Sequence, residues 1–218
     1  MATDKHLIDK VQPPALPLPP EGVFYVYLNA LTNILRLFFN RLANSINLVT
    51  GEFGAQYLST PNGLFFSTTD QTIAATNTAQ VISFENTYLS EGLAINGGSH
   101  SQITATYSGI YNFQFSAQAY SGSASSKNVY IWIRRDGTNI GYSAKHIVLS
   151  GSADITPVTW NFNIDLQAGS YIEMVWSSDD IDTKLEAESA VSPHPGEPSA
   201  VIAVTFVSAL PEVLPTPP

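Results

Sequence analysis

The stretch Ser108 to Ala119, SGIYNFQFSAQA, decides the class of the fold. Tyr111, Phe113 and Phe115 alternate with Asn112, Gln114 and Ser116, so a strand here buries a row of rings and turns a row of amides and hydroxyls outward. Working outward, Tyr130 and Trp132 alternate within NVYIWIRRDGTNIGYS (Asn128 to Ser143), and Trp160, Phe162, Ile164 and Leu166 alternate again. Asp136-Gly137 between two such runs is a tight-hairpin signal. Runs rich in Val, Ile, Thr, Tyr, Phe and Trp recur about every ten residues, divided by Gly, Asn, Ser and Asp. Strands are expected at Leu64–Thr68, Gln80–Phe84, Leu93–Asn96, Gln102–Thr106, Gly109–Ala119, Asn128–Arg134, Asn139–Ser143, Lys145–Leu149, Val158–Leu166, Ser170–Trp176, Thr183–Glu188 and Ala200–Ser208. No helical period separates them. Parallel βαβ folds are thereby excluded, and a sandwich or jelly roll is left.

Upstream, from Glu21 to about Val49, the period changes. Phe24, Leu28, Leu31, Leu35, Phe38 and Leu42 follow at alternating spacings of four and three, one stripe of an amphipathic helix. Tyr27, Ile34, Phe39 and Ile46 widen the stripe, Pro20 suits a helix start, and Gly51 and Gly54 suit its end. Asn29, Asn33, Asn40, Asn44 and Asn47 give a polar face that hydrogen-bonds without strong charge, since no acid lies between Gly22 and Gly51. Bare, so much apolar surface would aggregate. Docking or self-association is therefore expected, and each large side chain buried in a bundle would contribute about 2 kcal/mol.

Ahead of the helix, Pro13, Pro14, Pro17, Pro19 and Pro20 fall within eight residues and favour an extended polyproline arm. Its composition alone fits a spacer better than a groove-bound peptide. The plan that emerges is an arm at 1–20, an anchoring or oligomerisation helix at 21–50, a linker at 51–62, a β head at 63–209 and a frayed Pro-rich tail at 210–218.

Composition narrows the function. Only 12% of the 218 residues are charged while 44% are hydrophobic, a profile that allows a packed core and does not suit a charge-rich disordered chain. Cysteine is absent, so no disulfide or thiolate site forms. The net charge of −9 arises wholly after Lys145, where ten acids face only Lys184. No Lys or Arg occurs between Arg41 and Lys127, which argues against a nucleic-acid-binding face. Asn29, Asn33 and Arg36 interrupt the most apolar stretch, Val23 to Phe39, so membrane insertion is not expected. The opening MATDKHLIDKVQPPALPLPP has no apolar core of a signal peptide, and the protein is expected to be soluble and not secreted by a cleaved signal.

Catalytic chemistry is hard to assemble from these residues. Of His6, His100, His146 and His194, His6 and His194 lie in proline-bounded segments with no second His or acid at zinc-binding spacing, and no metal is expected. His146 reads as a strand residue facing solvent or an interface. SGSASS (Ser121 to Ser126) contains no nucleophile elbow, and no phosphate loop is present. A glycosidase would need two carboxylates about 5–10 Å apart; Asp165 and Glu173 fall on neighbouring strands, and spacing does not bring them together. The acidic run Asp179 to Glu188 reads as a solvated loop and edge strand rather than a calcium loop. No enzyme and no cofactor are expected.

Four segments carry a resemblance. SGIYNFQFSAQA, NVYIWIRRDGTNIGYS, LQAGSYIEMVW (Leu166 to Trp176) and SAVIAVTFVS (Ser199 to Ser208) resemble, in order, the marker strands of the complement globular-head and tumour necrosis factor-like superfamily. Ser170 stands where that family usually has Asp. Together they cover about 150 residues. The resemblance implies a ten-stranded TNF-like jelly roll, trimeric, with Gly109, Tyr111, Phe113, Phe115, Trp132, Gly169 and Trp176 as its matched core, and it implies binding of proteins or glycans rather than chemistry.

The N-terminal ALPLPPEGVFYVYLNALTNILRLFFNRLANSINL is similar to the opening of tail-associated and fibre-like virion proteins of short-tailed phages, through Leu35 to Leu42. It implies a bacteriophage virion component, assembled in the host cytoplasm. Its arm and helix would hold it to capsid or tail proteins, and its homotrimeric head would serve as fibre, knob or decoration. A host-surface glycan is the receptor class it suggests. The alternative is a free-standing trimeric lectin or adhesin that binds glycans at its loops.

Overall fold

The computed structural model describes residues 24–50, 60–151 and 154–210. The arm prolines Pro13, Pro14, Pro17, Pro19 and Pro20, the stop signals Gly51 and Gly54, and the tail from Pro211 lie outside the described residues. The chain divides into two compact units, residues 1–59 and 60–218.

In the first unit, α1 spans Tyr25–Thr50, 26 residues, close to the stretch its period predicts. Neither end carries the charge that would complement the helix dipole, with no acid in the first turn and no base in the last. Packing of apolar side chains must therefore supply its stability. Ala43 is buried and Leu28, Thr32 and Phe39 are half-buried, whereas much of the apolar stripe is exposed.

The second unit is all-β. In chain order its strands are β1 (Asn62–Ser67), β2 (Gln71–Thr72), β3 (Gln80–Val81), β4 (Asn86–Glu91), β5 (Leu93–Asn96), β6 (Gln102–Ala105), β7 (Gly109–Ser121), β8 (Lys127–Arg135), β9 (Thr138–Asn139), β10 (Lys145–Leu149), β11 (Asp154–Leu166), β12 (Tyr171–Ser178), β13 (Thr183–Leu185) and β14 (Ala200–Ser208). They form two antiparallel sheets. The first runs β11, β7, β14, β1, β4, with β13 prolonging the line of β14 along β7 and β2 prolonging that of β1. The second runs β10, β8, β12, β6, β5, with β3 beside β6 on β12 and β9 beside β10 on β8.

The core lies between the sheets. Alternation on β7 sends Tyr111, Phe113, Phe115, Ala117 and Ala119 inward. Ile131 and Ile133 on β8, Met174 and Trp176 on β12, and Ile202 and Val204 on β14 are buried in the same cluster. Register then matches rings: Phe113 stands opposite Phe162 and Phe115 opposite Trp160. The Phe113 and Phe162 rings stack at 5.3 Å with planes 10° apart, a cross-strand pair that pins β11 to β7.

Two turns repay the reading of their residues. Asp136 and Gly137 both have positive φ, 47° and 79°, the type I′ geometry that matches strand twist and closes the β8–β9 hairpin. Beyond it the expected strand Asn139–Ser143 stops after Asn139. The chain turns there because the buried Ser143 hydroxyl takes the Ile133 amide at 3.2 Å and donates to the Ile140 carbonyl at 2.7 Å. Tyr142 is left fully exposed with φ 59°, a left-handed conformation that a bulky residue rarely adopts.

Candidate interaction surfaces

Three surfaces offer themselves, one on α1 and one on the outside of each sheet. Phe24, just ahead of α1, and Leu31, Leu35, Phe38 and Leu42 on it are all exposed, and Leu28 is half-buried. Tyr27 at 68% and Ile34 at 64% exposure extend the stripe. Five of the six predicted positions, Leu28, Leu31, Leu35, Phe38 and Leu42, thus share one face of α1, with Phe24 at the turn before it. None of the described helices is long and apolar enough to cross a membrane.

The outside of the first sheet carries no charge across its centre. Asn112, Gln114, Ser116 and Gln118 from β7 lie beside Thr159, Asn161 and Asn163 from β11, and Val201, Ala203 and Thr205 from β14 continue the surface. The Asn112 amide donates to Asn161 at 2.6 Å and to Asn163 at 2.8 Å, and Gln114 donates to Asn112 at 3.4 Å. An open depression of about 540 Å³ lies here, lined by Gln114, Ser116, Thr159, Asn161, Val201 and Ala203 among others. A surface of amides and small apolar groups has little desolvation penalty to overcome when it is covered, because no ion must leave water. At the far side of β11, the Lys145 ammonium donates to the Thr159 carbonyl at 2.6 Å, a charged side chain placed on an edge strand.

The outside of the second sheet is different in kind. Tyr130 on β8 and His146 on β10 are paired in register, and their rings stack at 4.6 Å with planes 10° apart. His146 Nε2 meets the Asn128 side-chain oxygen at 2.8 Å, and Asn128 donates from its amide and its side chain to Asp179, at 2.9 and 2.6 Å. Farther along β8, the Trp132 indole N–H donates to Asn139 at 2.9 Å. Glu173 on β12 is buried although it faces outward; it accepts from the Ser101 hydroxyl at 2.9 Å and lies 3.8 Å from the Arg134 guanidinium.

Of the seven residues matched to the superfamily, five line the interior or its tight approaches. Tyr111 is fully buried and donates its hydroxyl to the Tyr107 carbonyl at 2.7 Å. Gly109 faces the Phe206 ring so closely that a Cβ would overlap it. Phe113, Phe115 and Trp176 are core residues. Gly169 forms the turn between β11 and β12. Trp132 stands apart, since it falls between the buried Ile131 and Ile133 and so points to the outer face of β8.

The carboxylates weighed for glycoside chemistry take separate partners in separate sheets. Asp165 on β11 pairs with Arg135 at 3.0 Å, and Glu173 on β12 lies by Arg134. In the acidic run, Asp180 pairs with Lys127 at 2.6 Å, and that hydrogen bond holds its carboxyl below the ordinary range. Asp179 is engaged by Asn128 and Glu186 by Lys184 at 2.8 Å. Among the described residues no three His, Cys, Asp or Glu groups are placed to hold a metal. No protein-family model matches the chain, and no curated protein matches it in sequence.

Proposed function

We propose that this chain is a structural component of a bacteriophage particle, held to capsid or tail proteins by its Pro-rich arm and helix and presenting a trimeric TNF-like jelly-roll head outward. The observation that carries the reading is the exposed apolar stripe of α1, in a unit distinct from a β sandwich that already has its own closed core. A stripe of that size calls for a partner, and the likeness of Leu35 to Leu42 to virion-protein openings names the kind. Five strand lines in each sheet, ten in all, with successive strands crossing between sheets from β7 to β8, from β10 to β11 and from β11 to β12, support the jelly roll. The uncharged outside of the first sheet supports assembly of three heads through that face. The chain is then a binding and scaffolding protein that needs no cofactor and performs no catalysis, and its place is the virion.

Two measurements test this. The mass of the full chain in solution is expected to be that of three copies; a stable monomer would remove the trimer. Particles purified from cells carrying the gene are expected to contain the chain, and to lose it when residues 1–50 are deleted while the head still folds. Absence of the full chain from such particles would remove the virion reading. A free-standing trimeric lectin is the second reading, favoured by the fully exposed Tyr142 on a constrained turn; there the truncated head keeps weak glycan binding.

A further inference from the structure

We infer that the outside of the second sheet is a binding site for a neutral saccharide, built on the row Asn128, Tyr130, Trp132 and Arg134 of β8. The inference rests on the reading of the sandwich as an outward-facing binding head and adds its ligand class and its place. Alternate residues of a strand share a face, about 7 Å apart, so the two rings stand side by side with a polar group at each end.

The row is held rigidly by side chains that bond to one another. Tyr130 is fixed by the stacked His146, which Asn128 holds at 2.8 Å, and Trp132 is fixed by its bond to Asn139 at 2.9 Å. Arg134 also reaches Asn139, at 3.4 Å, and lies against Glu173. Groups preorganised in this way lose little conformational freedom when a ligand arrives.

The chemistry of the row selects its ligand. Sugar rings present apolar C–H faces bordered by hydroxyls, and so match aromatic rings flanked by carboxamides, a carboxylate and a guanidinium. Charge makes the choice narrower. Arg134, the row's single cation, is already matched by the buried Glu173, so the row offers no unpaired cation to an anionic sugar. A protein partner would need a broad apolar centre, whereas here the apolar neighbours in register are few, Val175 buried beside Trp132 and Val148 beside Asn128, and Asn128, Asn139 and Ser177 break up the face around the rings. The site also lies on the sheet opposite the uncharged face assigned to subunit contact, so assembly leaves it open.

The test titrates the full chain with short neutral gluco-, galacto- and manno-oligosaccharides, following calorimetry and tryptophan fluorescence, to which the half-buried Trp132 contributes. Binding by at least one of these is expected, weakened about tenfold in Tyr130→Ala and in Trp132→Ala. Tyr88→Ala, on the exposed β4, is expected to bind as the unaltered chain does. Because Trp132→Ala removes a half-buried ring from the face of β8, melting curves accompany each variant, and the exposed Tyr130→Ala decides if Trp132→Ala does not fold. No binding of any neutral saccharide, binding of acidic glycans or proteins only, or binding unchanged in folded Tyr130→Ala would overturn the site. A monomer that binds leaves the site standing and removes the trimer; a trimeric virion protein that binds none removes the site alone.

Discussion

The ammonium of Lys184 on β13 lies 2.7 Å from the carboxylate of Asp70, 114 residues earlier in the turn before β2. It also lies 2.8 Å from Glu186 and 5.1 Å from the centre of the Tyr120 ring. Lys184, the only Lys or Arg after Lys145, thus ties β13, the β1–β2 turn and β7 together.

Replacement of Lys184 by Met should cost about 1 kcal/mol, the upper range for a partly exposed ion pair, because Asp70 and Glu186 are left without their shared cation. Burial pushes the Asp70 carboxyl up, but hydrogen bonds from Lys184 and the Ala187 amide outweigh it and hold Asp70 below its ordinary value. A carboxyl depressed by folding adds stability above its unfolded value, near 3.8, and loses it as pH falls through the folded value. Urea titrations at neutral pH and below pH about 4 should therefore show the gap between Lys184→Met and the unaltered chain narrowing in acid. A gap independent of pH would contradict the assignment.

Glu85 closes the turn between β1 and β2. Its Oε1 accepts the Thr68 amide at 2.6 Å and the Ser67 hydroxyl at 3.2 Å. Burial raises this carboxyl, yet these bonds and one from its own amide leave it lowered. Glu85→Ala is expected to lose about 1 kcal/mol and Glu85→Gln less, since a neutral acceptor keeps the weaker form of the same bonds. Equal losses in the two variants, measured by thermal melting, would rule this out.

Tyr111 and Gly109 probe the start of β7 in different ways. Tyr111→Phe removes only the bond to the Tyr107 carbonyl and should cost about 1 kcal/mol. Gly109→Ala forces a methyl into the Phe206 ring and to 3.0 Å from the Ser208 carbonyl, and overpacking of that kind costs roughly 1–3 kcal/mol. Chemical denaturation of both should place Gly109→Ala lower; the reverse order would mean that Phe206 yields freely.

Leu31 and Leu35 are both exposed on α1, so Leu31→Lys and Leu35→Lys should leave the melting of the sandwich unchanged within about 0.5 kcal/mol. Sedimentation is expected to show smaller assemblies or loss of particle attachment in both. Unchanged assembly and attachment would mean that the stripe has no partner.

The strands that could be read from the residues are those with an apolar or β-branched run. β5, β10 and β14 begin and end where their patterns predict. β4, Asn86–Glu91, went unpredicted because none of its residues is buried and NTYLSE therefore carries no alternation. It exists through pairing with β1. Gln71–Thr72 is too short to show a period and is drawn into line by Lys184 and Leu185 of β13. Among candidate site residues, the helix stripe was legible because one face of a helix is a local property. The pairings Tyr130–His146, Trp132–Asn139 and Arg134–Glu173 were not legible, since strand register sets each of them.

By itself, the sequence determined the all-β class of the second unit, the helix ahead of it and the inward row Tyr111, Phe113 and Phe115, because periods of 2 and 3.6 are written in neighbouring residues. Tertiary structure alone decided that Trp132 faces outward, that Glu173 is buried beside Arg134 and Ser101, and that Asp165 and Glu173 belong to different sheets. Those outcomes depend on which strands become neighbours and in what register, and a shift of one residue would exchange every inward and outward side chain.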